Sequence, residues 1–249
     1  MIPKIIHYCW FGRGEMPKLA KKCIKSWKKY CPDYEIKEWN EDNFDVDIIP
    51  YTGEAYRKKK YAFVSDYARF WLLYHYGGLY FDTDVEIIRP IEDIIQSGPF
   101  MGYEITKNRP RVAAGLGIFA YPHNPFFKKI LDYYSTNHFI SKRGYISQLT
   151  VVDIIEALSN GQIEHKDNGI DILANSFYVY PSDFFCPINY ETSKLTITAN
   201  TRTIHWFLAS WVNNSQKCFG RFEQVCNIII RFWVRLRWLI HRCQIIELH

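Results

Sequence analysis

Apolar positions change period twice within the first forty residues. "KIIHYCW" is a short continuous apolar run, which predicts a buried strand, and the turn "FGRGEMP" closes it. In "PKLAKKCIKSWKKY" the apolar residues Leu19, Cys23, Ile24, Trp27 and Tyr30 fall on one helical stripe, with lysines elsewhere. "CPDYEIKEWN" then predicts a turn and a second strand, so the opening is β-α-β with a parallel pair. A second helix is predicted over Tyr61 to Tyr76, "YAFVSDYARFWLLYHY", stopped by Gly77 and Gly78. One strand, "LYFDTDVEII", follows directly. "FMGYE" and "GLGIFAY" predict further strands, and "NPFFKKILDYYS" and "LTVVDIIEAL" predict helices. "FYVYPSDFFCPI" is extended and punctuated by proline, and "LTITANTRTIHWFLASW" combines a strand with a loop. Strands and helices alternate to about residue 210, which predicts one α/β domain with a mixed sheet over residues 1–215.

The pattern changes after that. From Cys218 onward Phe222, Ile229, Phe232, Trp233, Leu236, Leu239 and Ile240 cover one broad helical face, while Arg231, Arg235 and Arg242 form a narrow opposite stripe. Residues 216–249 therefore read as a basic amphipathic helical tail, suited to the surface of an anionic membrane. Arginines interrupt its apolar stretches too often for a membrane span. The net charge of the 249 residues is +5. The tail carries six Lys or Arg against Glu223 and Glu247, so most of the excess lies there, a distribution that does not suggest a nucleic-acid groove across the domain. Seven cysteines with no C-x-x-C pair argue against a disulfide framework and a thiolate zinc site. The start of the chain has no leader-like pattern, and a cytoplasmic setting, peripheral on the inner face of the plasma membrane, is the expectation.

The chemistry centres on "YGGLYFDTDVEII". Read as a strand, it points Asp82 and Asp84 to one side and Thr83 to the other. Two carboxylates held close repel unless a cation lies between or beside them, and hard oxygen donors suit Mg²⁺ or Mn²⁺ shared with substrate phosphates. Ligands of open α/β sheets bind at the carboxyl ends of strands, where this pair falls. Upstream, Asp66 and Arg69 lie three apart on one helical face.

"IPKIIHYCWFG", "FVSDYARFWLLYHYGGLYFDTDVEI" and "IHWFLASW" together resemble the DXD-containing sugar transferases of glycosyltransferase family 32, over about residues 1–212. The most specific part is S-D-x-x-R followed by G-G-x-Y-x-D-x-D. The resemblance implies a GT-A fold, a Rossmann-like mixed sheet flanked by helices, and a retaining, metal-dependent transfer of a hexose from a nucleotide-diphosphate sugar. UDP-hexose is the first expectation and GDP-mannose the next, with a glycan or lipid-linked glycan acceptor in cell-surface polysaccharide synthesis. It places Trp10 against the nucleotide base, Asp66 and Arg69 on the donor sugar and Tyr80 beside the donor. Asp82 contacts ribose or sugar, and Asp84 binds Mn²⁺ or Mg²⁺, with Asp82 and His205 as further candidate ligands. The resemblance also implies that Ser210 and Trp211 close over the diphosphate. Members often carry T-G-P where this chain reads "YISQLT", which bears on acceptor contacts. Two other readings are a nucleotide-sugar-binding module without catalysis and a D-x-D phosphohydrolase. Against the latter, "DTDVE" has Glu86 where Thr or Val is usual, and no later G-D-x-x-x-D follows.

Overall fold

The computed structural model describes residues 3–208 apart from residues 107, 108, 148, 168 and 191. Ser210, Trp211 and the predicted tail lie outside the described residues. The chain begins with β1 (Ile5–Cys9), α1 (Lys18–Tyr30), β2 (Glu35–Trp39), α2 (Pro50–Arg57) and α3 (Tyr61–Tyr76). Next come β3 (Gly78–Tyr80), β4 (Val85–Ile87), α4 (Glu92–Ser97), β5 (Phe100–Thr106), β6 (Arg109–Ala113) and β7 (Ile118–Ala120). The remainder is α5 (Pro125–Thr136), α6 (Val151–Leu158), β8 (Ile163–Glu164), β9 (Asp171–Leu173), β10 (Phe177–Tyr180), α7 (Ser182–Phe185) and β11 (Thr203–His205).

The expected mixed sheet flanked by helices is present. Its strand order is β2-β1-β3-β7-β5-β10-β9-β8, with β6 paired to β5. β1 runs parallel to both β2 and β3, joined to β2 through α1 as the opening pattern requires, and β5 is parallel to β10. β7 is antiparallel to β3 and β5. Side chains alternate between two layers. Tyr80, Met101, Ile118 and Val179 pack with α3, α5 and α6, whereas Leu79, Phe100, Phe119 and Tyr180 pack with α1, α4 and α7.

α3 is buried nearly all round, from Val64 through Leu73, so it is a core helix. The double glycine after it is a geometric requirement. Gly77 and Gly78 have φ of 65° and 94°. A Cβ at Gly77 would meet Pro122 Cδ at 2.7 Å, and one at Gly78 would meet the Ile5 carbonyl oxygen at 2.7 Å. His7 ties the turn to the sheet: Trp39 Nε1 donates to its Nδ1 at 3.1 Å and its Nε2 donates to the Gly77 carbonyl at 3.0 Å.

The strand predicted over Leu79–Ile88 is two strands in two sheets. β3 belongs to the large sheet, and β4 pairs antiparallel with β11 in a separate one. Between them the chain turns, with the Val85 N–H donating to the Asp82 carbonyl at 3.0 Å. α2 and α4 also form where no helix was read, and β6, β8 and β9 add strands. Pro50 opens α2 at the first helical turn, a position that tolerates it.

Trp27 holds the new direction of the chain. It is fully buried between Tyr8 and Phe81, and its Nε1 donates to the Val85 carbonyl at 2.7 Å. Trp27→Ala should cost about 3–5 kcal/mol. Trp27→Phe, which keeps most of the ring but strands the Val85 carbonyl, should cost about 1–2 kcal/mol. Urea unfolding monitored by far-UV circular dichroism measures both, and a Trp27→Phe protein as stable as the wild type would show that the hydrogen bond contributes nothing.

Candidate active site

Asp66 and Arg69 stand one turn apart on α3, next to the carboxyl end of β3. The Arg69 guanidinium is buried, 2.8 Å from Asp66 Oδ1 and 3.2 Å from Asp82 Oδ1. Its Nε donates to the Ser65 carbonyl at 3.2 Å, and its Cζ lies 5.0 Å from the centre of the Tyr80 ring. The Tyr80 hydroxyl donates to Asp82 Oδ1 at 3.0 Å. Four residues named from sequence thus converge, two from α3 and two from the end of β3.

This cluster sets two carboxylates against one permanent cation. Burial, with Asp82 nearby, pushes the Asp66 carboxyl up to about 7 in spite of Arg69. Asp82 is raised as well, by burial first, with Arg69 opposing and Asp84 adding. Gly115 completes the cradle. Its carbonyl accepts from the Asp82 N–H at 3.1 Å, and a Cβ there would fall 2.1 Å from Asp82 Oδ2. The sequence reading passed over Gly115, although the small-residue run Ala113-Ala114-Gly115 is the kind that marks a close approach.

The turn sends Asp84 to different partners. His205 Nε2 lies 3.3 Å from Asp84 Oδ1, and the Leu208 N–H donates to Oδ2 at 2.7 Å. The Asp84 carbonyl accepts from the Trp206 N–H at 3.0 Å, while Trp206 Nε1 donates to Glu86 Oε2 at 3.0 Å. Pairing of β11 with β4, which sets His205 opposite Val85, brings this segment in. Burial works to raise the Asp84 carboxyl, but His205 and the Leu208 N–H outweigh it and the net shift is downward. Burial likewise opposes a charged His205, and Asp84 overrides it, so the imidazole is raised well above its ordinary range. Phe207, at φ 48°, sets its ring 4.3 Å from that imidazole. Its part in the site was not read from sequence.

The donor set fits a divalent ion at Asp84. One carboxylate oxygen and one imidazole nitrogen face each other at 3.3 Å, close to the roughly 3 Å between neighbouring ligands of an octahedral ion with ~2.1 Å bonds. No group of three or more His, Cys, Asp or Glu side chains able to hold a metal occurs among the described residues. Two protein ligands leave positions for water and substrate phosphate, which is the usual state of Mg²⁺-type sites. Asp82 is engaged by Arg69 and Tyr80 instead, so the two carboxylates have separate partners. Trp10 follows β1, the strand beside β3, and is partly buried. Its backbone N–H donates to the Trp39 carbonyl at 2.8 Å and its indole N–H to Gly14 at 2.7 Å.

Residues 17–101 match the family described as a glycosyltransferase sugar-binding region containing a DXD motif, which bears out the resemblance read from sequence. A mannosyl phosphorylinositol ceramide synthase of Saccharomyces cerevisiae is 28% identical over 160 residues, 61% of this chain and 39% of that protein. Inositol phosphoceramide mannosyltransferase 2 of Schizosaccharomyces pombe is 26% identical over 156 residues, 61% of this chain and 43% of that one. The match thus spans about two-fifths of the length of these yeast relatives. An uncharacterized glycosyltransferase of Acanthamoeba polyphaga mimivirus is 26% identical over 244 residues, 92% of each chain. Among solved structures, the PaToxG glycosyltransferase superposes with a TM-score of 0.48 at 20% identity, covering 64% of this chain and 69% of that one.

The charge cluster makes stability depend on pH in a defined sense. With its folded pKa raised from 3.8 to about 7, Asp66 binds more proton in the folded state, so its contribution is present below pH 4 and lost as pH rises through 7. Comparison with Asp66→Asn isolates this from other groups, such as His7, that titrate over the same range. The variant should gain on the wild type as pH rises from 4 to 7, by up to about 1.4 kcal/mol per pH unit. Urea unfolding at four pH values measures the gap. A constant gap would mean that Asp66 is ionised throughout.

Proposed function

We propose that this chain is a retaining, metal-dependent hexosyltransferase of GT-A type, acting on a nucleotide-diphosphate sugar and a glycan or lipid-linked glycan acceptor. The observation that carries the reading is the division of labour across the Asp82–Val85 turn. Asp82 sides with Asp66, Arg69 and Tyr80, a polar and cationic cluster suited to sugar hydroxyls. Asp84 sides with His205, a donor pair suited to an ion on the diphosphate. The matched DXD region supports the same assignment. The names of the yeast relatives bring mannose forward beside the UDP-hexoses, and they support a lipid-borne acceptor.

In this mechanism Asp84 and His205 would hold Mn²⁺ or Mg²⁺. The ion, when bound, supplies positive charge to the diphosphate as the bond from sugar C1 to phosphate oxygen breaks. Arg69, fixed by two carboxylates and the Ser65 carbonyl, cannot swing toward solvent and gives the donor a rigid cationic wall. The Tyr80 hydroxyl and Gly115 carbonyl hold Asp82 in one orientation to accept from the donor sugar or its ribose. Trp10, at the end of the neighbouring strand, offers a ring for the base, and Ser210 and Trp211 are assigned to the diphosphate. The acceptor hydroxyl attacks on the face the leaving group departs from, and the departing phosphate takes its proton. Cell-surface polysaccharide synthesis is the pathway proposed. The Arg-bearing apolar segment from Cys218 onward would keep the enzyme peripheral on an anionic inner membrane face. No helix among the described residues is long and apolar enough to cross a membrane.

Incubated with Mn²⁺ and a panel of UDP- and GDP-sugars, the protein should release free nucleotide slowly from one donor. Chelation should abolish release, and Asp84→Asn should cut it about a hundredfold or more with the fold intact. Release unchanged by both would overturn the metal role, and no binding of any donor by calorimetry would overturn the site. A chain ending at Asn214 should float less well with anionic liposomes than the full chain. Unchanged flotation would remove the tail from membrane binding.

A further inference from the structure

The solvent face of α1 carries a charge pattern for which neither the candidate site nor the tail has a use. Lys18, Lys21, Lys22, Lys25, Lys28 and Lys29 are all exposed, and no Asp or Glu occurs between Lys18 and Tyr30. The opposite face buries Ala20, Cys23 and Trp27 in the domain, so the helix cannot turn its lysines away. Positions 18, 22, 25 and 29 follow the four-three-four spacing of a single stripe, about 20 Å long over 13 residues. Outside α1 and the 33 residues from Lys217, the chain has 19 Lys and Arg against 24 Asp and Glu. The positive charge of the domain is therefore concentrated on this helix. Lys21 pairs with Glu15 and Lys22 with Glu86. Lys18, Lys25, Lys28 and Lys29 form no ion pair among the described residues.

We propose that the lysine face of α1 is a docking surface for an anionic phospholipid membrane. A row of lysines on a straight helix offers mobile point charges to a plane of phosphates, each worth about a fivefold gain in affinity near such a surface. Nucleic-acid readers instead bring arginine forks and stacking aromatics to the contact. This stripe has neither, since no Arg occurs in α1 and Trp27 is on the buried side. The face also adjoins the candidate site. Lys22 reaches Glu86, two residues beyond Asp84, and its Nζ lies 5.9 Å from the centre of the Trp206 ring. Docking through α1 would hold that wall of the site near the membrane plane. The inference depends on charge and exposure alone, so it stands or falls apart from the transferase reading.

The test is co-sedimentation of the full chain with phosphatidylcholine vesicles, with and without about 30% phosphatidylglycerol. Two triple variants remove the same charge: Lys18, Lys25 and Lys28→Gln on α1, and Lys58, Lys59 and Lys60→Gln between α2 and α3. Thermal unfolding checks that both fold as the wild type does. The wild type should bind the anionic vesicles only, and less as salt rises. The α1 variant should lose at least about tenfold in partition coefficient, and the control variant less than a third of that loss. Equal losses would reduce the effect to net charge and overturn the proposal. So would an unchanged α1 variant, which would leave binding to another segment, or failure of the wild type to bind. Tighter binding to a fluorescent homopolymer RNA than to vesicles would overturn it in favour of nucleic acid.

Discussion

A buried guanidinium governs this structure. Taking Arg69 out of water is tolerated only if polar partners replace the lost hydration, and Asp66, Asp82 and the Ser65 carbonyl do so. The two carboxylates come from different elements, so satisfying one cation fixes α3 against the end of β3. Removing Asp82 would leave the buried guanidinium short of compensating charge, which is a larger penalty than the loss of one contact. With Tyr80 donating to Asp82 and the missing side chain of Gly115 making room for it, the carboxylate is seated against Arg69. The cluster is therefore both a fold-determining contact and a preorganised charged surface.

The second constraint is the abrupt exit of the chain from the large sheet after Tyr80. A continuous strand through residue 88 would put both acidic residues of the motif on one face, to compete for the same cation. The turn avoids this by handing Asp84 to the β4–β11 pair, where His205 and the backbone of residues 206 and 208 receive it. Local preference is divided, since Thr83 and Val85 favour strands while Asp82 suits the first position of a turn. The turn persists because the Val85 carbonyl is held by Trp27 on one side and the Asp82 N–H by Gly115 on the other. Long-range hydrogen bonds here decide between local preferences.

That contrast explains what was legible in the sequence. α3 was read to its terminal residues because a long apolar segment ended by two glycines is a local signal. The β1-α1-β2 opening was legible for the same reason, with helical and strand periods each clear over its own stretch. The break between β3 and β4 was not, since its causes lie 58 residues upstream at Trp27 and well downstream at Gly115 and in β11. The joint spacing of S-D-x-x-R and G-G-x-Y-x-D-x-D named the residues of the cluster, yet could not say that the two carboxylates would take separate partners. Gly115 and Phe207 escaped because their roles are a close approach and a left-handed backbone, which single positions do not announce.

Helix α1 joins these threads. Its 13 residues have one period and two faces, and each face has an exacting task. Inward, Trp27 grips the carbonyl just past the acidic turn, so any tilt of the helix would be felt at Asp84. Outward, the lysines are placed by the same backbone. Because Lys22 and Trp27 reach β4 at adjacent residues, Glu86 and Val85, the charged stripe and the candidate site are held in a fixed relation. A surface bound by those lysines would thus meet the site at one orientation, set by packing within the domain and not by a flexible linker. Moving the lysines to a loop would keep the charge and lose that registration.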